Sequence, residues 1–121
     1  MLQISPAQIA HVIIRAREFD AGIPGTGHEN ELRAFIASLN DDEQASLVAV
    51  MWIGRETFAP EELDEAVATA RAEKTAPTED YLLGIPLLSD YLEDGMEALG
   101  IPREEAEEDI SPTTGPGAQR P

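Results

Sequence analysis

A chain of 121 residues with 42% hydrophobic side chains has room for one domain with a real core, and not for two. Eight basic residues against 24 acidic ones give a formal charge of −16, which argues against direct binding to nucleic-acid phosphates or an anionic membrane. Cysteine is absent, so disulfides, thiolate metal sites and cysteine nucleophiles are excluded.

The first helix is expected to open at Ser5-Pro6-Ala7-Gln8, with Ser5 as cap, Pro6 in the first turn and Gln8 returning the hydrogen bond. Ile9, Val12, Ile13, Ala16 and Phe19 then share one face, while His11, Arg15 and Glu18 lie opposite, so His11 is expected to be exposed. Ile14 sits off the main stripe. The helix should stop near Gly22, and Gly22-Ile23-Pro24-Gly25-Thr26-Gly27 reads as a flexible loop. No Gly-Lys-Ser/Thr follows it and the glycine spacing fits neither nucleotide fingerprint, so a phosphate cradle is the weaker reading.

A second helix is predicted from His28 to Leu39, with Leu32, Phe35, Ile36 and Leu39 inward. Only Asn40 separates it from the third, whose apolar residues Leu47, Val48, Val50, Met51, Trp52 and Ile53 point in almost every direction. That pattern suits a central, buried helix around which the rest packs. Asn40 and Glu43 have capping-box spacing, Asp41 and Asp42 suit the positive end of the helix dipole, and Gly54 reads as the stop.

Pro60 is expected to begin the fourth helix, with Leu63, Ala66, Val67 and Ala70 inward and Phe58 and Leu63 spaced as a hydrophobic staple. Glu79 to Leu83 can form a short helix, Gly84-Ile85-Pro86 interrupts the chain, and Leu87 to Leu99 gives the last clear helix, closed by Gly100. Leu88, Tyr91, Leu92, Met96 and Leu99 share its inner face, and Gly95 on that stripe implies close packing. From Ile101 onward Pro, Gly, Thr and Glu dominate, so a disordered acidic tail over 101–121 follows a helical domain over 1–100. With no sustained strand alternation, the fold class is all-α: a bundle of about five helices, one broken at Gly84 to Pro86, around the third.

Two blocks carry a likeness. Glu31-Leu32-Arg33-Ala34-Phe35-Ile36 through Asp42-Glu43-Gln44 to Met51-Trp52-Ile53-Gly54-Arg55, and Asp80-Tyr81-Leu82-Leu83-Gly84-Ile85-Pro86-Leu87-Leu88-Ser89-Asp90-Tyr91-Leu92-Glu93, resemble an uncharacterised family of small acidic bacterial proteins, a domain of unknown function. The likeness covers most of residues 5–100. It implies no activity and carries over no catalytic residue.

Chemistry has few candidates. His28 and Glu31, one helical turn apart, could give two ligands to a divalent ion, but the zinc motif His-Glu-x-x-His is absent and a closed site needs about four ligands. No window has the EF-hand spacing. No catalytic residue, cofactor or metal site is therefore assigned, and an enzyme is the weakest reading. Trp52, Tyr81 and Tyr91 could suggest an aromatic pocket, yet they sit at core spacing among Leu and Met, so packing explains them better.

Charge is the remaining signal. Residues 56–100 hold 12 acidic residues against 2 basic, a balance of −10, whereas the stretches on either side each carry −3. Within that segment Asp90, Glu93, Asp94 and Glu97 line one side of a helix, where like charges repel unless a cation or basic partner neutralises them. We expect a non-catalytic interaction or regulatory module that binds another, basic protein through this face. Nucleic-acid mimicry toward a DNA-binding protein and a homo-oligomer joined through Ile14, Met96 or Gly95 are the alternatives. The opening Met-Leu-Gln-Ile-Ser-Pro lacks a signal-peptide pattern and no apolar run reaches the roughly 18 residues that span a bilayer, so the expected location is the cytoplasm.

Overall fold

Capping chemistry sets where the helices begin. In the computed structural model, which describes residues 2–20 and 28–101, Ser5 Oγ accepts from the Gln8 N–H (3.1 Å) while Gln8 Oε1 accepts from the Ser5 N–H (2.9 Å), and helix α1 runs over Pro6–Asp20. Asn40 and Glu43 make the same reciprocal pair at 2.7 and 2.9 Å and open α3, Asp41–Gly54. Between them lies α2, His28–Ser38. The expected loop over 22–27 and all of the expected tail over 101–121 except Ile101 fall outside the described residues.

The later elements refine the sequence boundaries. Pro60 starts a 3₁₀ turn, Pro60–Glu62, and the regular helix α4 follows at Leu63–Ala72. The chain breaks where Gly84-Ile85-Pro86 foretold, between α5, Thr78–Leu83, and α6, Leu88–Ala98. No strand occurs among the described residues, so the fold is all-α.

Helix α3 is the hub. Every residue from Gln44 to Met51 is buried, because α6 and α4 pack along it, α5 touches it, and α1 closes the other side of α6. Leu47, Ala49, Val50 and Met51 expose nothing to water, and each large apolar side chain so buried contributes about 1.5–3 kcal/mol. The two buried polar residues of this helix are satisfied. Gln44 Nε2 donates to the Ile36 carbonyl (3.0 Å), and Ser46 Oγ accepts from the Gln3 N–H (2.9 Å), tying the chain's start to the hub.

Helix α3 ends at Gly54 as expected, but this glycine is not the left-handed residue of the stop. A Cβ there would overlap the carbonyl of Tyr91 and lie 2.8 Å from the Gly95 nitrogen, and a Cβ on Gly95 would lie 2.8 Å from Val50 Cγ1 and overlap the Val50 carbonyl. The two glycines let α3 and α6 cross almost backbone to backbone, with the chains running in opposite directions. The left-handed residue lies two positions later. Thr57 N–H bonds to the Trp52 carbonyl and Glu56 N–H to that of Ile53, a Schellman turn in which Glu56 takes the left-handed conformation (φ 69°) usually left to glycine. At the end of α6 the expected residue does fill this role, with Gly100 at φ 75° and the Ile101 N–H bonded to the Met96 carbonyl.

His11 also differs from expectation. Instead of facing water, its ring packs on Phe35 of α2 with centroids 4.3 Å apart, because α2 lies along the polar side of α1, where Arg15 also reaches Glu31 (3.1 Å). Burial lowers the His11 pKa below the ordinary 6.5, Arg15 adds to the lowering, and Glu18 and Glu31 oppose it. The unfolded chain therefore binds the proton more readily, so stability is complete above the unfolded value and declines as pH falls through it. We expect the urea midpoint to drop between about pH 7.5 and about pH 5.5, and to drop less in His11→Gln. Identical pH profiles for the two proteins would refute this assignment.

Candidate functional site

Helix α6 turns Leu88, Leu92, Gly95 and Met96 into the core, which leaves Asp90, Asp94 and Glu97 exposed on its far side. Its first residue follows Leu87, a non-glycine residue at φ 62° whose side chain is 56% exposed. The four carboxylates singled out by spacing differ in their surroundings. Glu93 leans toward α1 and pairs with Arg17, and Asp90 adds to the negative field on the same guanidinium. The hydrogen bond from Arg17 to Glu93 is the main reason the Arg17 pKa is raised.

Asp94 and Glu97 look the other way. With Glu56 they rim a groove of about 530 Å³ between the end of α3, the connection over 55–60 and α6, whose floor and walls include Ile53, Phe58, Pro60 and Ala98. Phe58 is held there by stacking on Trp52, with ring centroids 5.6 Å apart. The staple expected between Phe58 and Leu63 corresponds to two side chains that both pack against the core. None of the three rim carboxylates has a basic side chain at ion-pair distance among the described residues.

Glu56 was missed by the sequence reading. Its neighbour Gly54 carries the usual signal for a helix end, and only the crossing with α6 shows that this glycine is used for contact, leaving the left-handed turn to Glu56. His28 and Glu31, weighed above as metal ligands and not assigned, are described only in part. Glu31 is engaged by Arg15, the His28 side chain lies outside the described part, and among the described residues no group of three or more His, Asp or Glu is arranged to hold a metal. Of the positions suggested for self-association, Met96 and Gly95 are buried inside this chain against α3, and Ile14 is exposed.

None of the described helices is long and apolar enough to cross a membrane. No curated protein and no solved structure matches the chain. A family model described as Protein of unknown function (DUF3775) matches residues 29–101, a span that runs from the first turn of α2 through the end of α6 and leaves α1 outside. Matched over more than half its length, the chain belongs to that family.

Proposed function

We propose that the protein is a non-catalytic interaction module that receives a basic segment of a partner protein in the groove rimmed by Glu56, Asp94 and Glu97. The observation that supports this reading is the combination of an apolar floor with three carboxylates that no base among the described residues neutralises. An arginine or lysine side chain suits such a groove at both ends, since its aliphatic stem covers apolar surface while its head meets the carboxylates. The surrounding negative field raises the encounter rate with a basic surface, and salt screens it.

Individual exposed ion pairs contribute only about 0–1 kcal/mol, so affinity must come from the buried stem as well as from charge. Reversing Asp94 and Glu97 together to lysine is therefore expected to weaken the complex by about tenfold or more while leaving the helical circular-dichroism signal unchanged. Partners captured from native extract by the wild-type protein, released as salt rises and missing from the double variant, are the expected result. Equal capture by both proteins would overturn the proposal. The Glu93→Lys change is a poor substitute for this test, because it also breaks the contact with Arg17.

A further inference from the structure

A different face of α3 borders a second cleft, of about 170 Å³, between that helix, the end of α4 and α5. Val48, Ala70 and Trp52 supply an apolar and aromatic wall. The Trp52 indole N–H donates to the Tyr81 hydroxyl oxygen (3.0 Å), which fixes the two rings relative to one another and leaves the phenol proton free to donate elsewhere. A chamber this size suits a single ring, since an apolar protein cavity of about 150 Å³ accepts benzene.

Polar side chains also line the cleft. Lys74, the only lysine in the chain, donates to Gln44 Oε1 (3.2 Å) and has no carboxylate at ion-pair distance among the described residues. By contrast Arg15, Arg17, Arg33 and Arg71 each have at least one. Thr78 is 5% exposed and lines the cleft, yet its hydroxyl has no hydrogen-bond partner among the described residues. Buried hydroxyls are ordinarily satisfied by protein or by water, so one with no protein partner at a cleft wall is available to an acceptor from outside the chain. Lys74 and Thr78 also line the adjoining cavity of about 340 Å³, which places them at the junction of the two.

We propose that this cleft binds a small monocarboxylate carrying one ring or a short apolar chain, with its apolar part against Val48, Ala70 and Trp52 and its carboxylate at Lys74 and Thr78. An ammonium and a hydroxyl are both donors, and a carboxylate has acceptor capacity for both. Glu73 in the same cleft and Asp41 and Asp42 in the adjoining cavity oppose an anion, but all three are exposed and screened by water and salt, and Asp42 is paired with Arg71. The site is independent of the acidic groove, and neither proposal needs the other.

The test uses the full chain and its only tryptophan, which stands in the wall of the cleft. Cyclohexanecarboxylate and its uncharged isostere cyclohexanecarboxamide are titrated while tryptophan emission is followed. The carboxylate is expected to give a saturable change at a concentration about tenfold lower than the amide requires, the scale of one charge-assisted hydrogen bond. Lys74→Met should erase that preference while leaving amide binding and the circular-dichroism spectrum as they were. Thr78→Val should weaken the carboxylate and Thr78→Ser should restore it. The proposal is overturned if the carboxylate gives no saturable change, if carboxylate and amide bind equally to the wild type, or if Lys74→Met keeps the preference.

Discussion

Gly95→Ala is expected to destabilise the protein by more than about 3 kcal/mol, although alanine is the better helix former by about 1 kcal/mol. The added methyl would stand on the Val50 carbonyl and 2.8 Å from Val50 Cγ1. One of these obstacles is backbone in the centre of the buried helix, so α3 and α6 would have to move apart along their whole contact. Gly54→Ala meets the same difficulty from the other side, against the Tyr91 carbonyl. Gly84→Ala is the control, because a Cβ there finds the Tyr81 carbonyl oxygen at an ordinary 3.6 Å, and its effect should stay within about 0.5–1 kcal/mol. Urea unfolding of the three variants checks the order. A Gly95→Ala protein as stable as Gly84→Ala would mean that the helices do not cross here.

Leu47→Ala is the second large effect, expected at about 2–5 kcal/mol. Leu47 lies in the middle of the hub helix with no exposed surface, and its sequence neighbours from Gln44 to Met51 are buried as well. A side chain removed from the periphery of a core lets neighbours relax into the space. Here packing on every side of α3 holds the lining in place, so the cavity persists. For a domain whose total stability is about 5–15 kcal/mol, the loss is a large share. The urea midpoint should fall with the slope unchanged, and Leu47→Met, which conserves volume, should lose less than about 1.5 kcal/mol. Equal losses for the two substitutions would show that cavity formation is not the cause.

What could be read from the sequence was what depends on near neighbours. Ser5 with Gln8 and Asn40 with Glu43 are three residues apart, and both cap as their spacing implied. The all-round apolar character of residues 47–53 identified the buried helix, and Gly95 on an apolar stripe announced the close crossing. Errors came where a partner far along the chain decides the outcome. His11 is half-buried because Phe35 arrives from another helix. Trp52 and Tyr81, 29 residues apart in sequence, share a cleft with Lys74 that no local pattern displays.

The arginines described above do more than neutralise neighbours. Arg15 links α1 to α2, Arg17 links α1 to α6, Arg33 links α2 to α5, and Arg71 links α4 to α3. Four of the chain's eight bases thus act as ties between helices, and against 24 carboxylates they leave the outer surface a polyanion. Such a molecule is held inward by its core and pushed outward by its own charge. Dissolved counter-ions therefore act in favour of the folded state: they weaken a few exposed pairs, each of small value, and at the same time quiet a much larger repulsion spread over the whole surface.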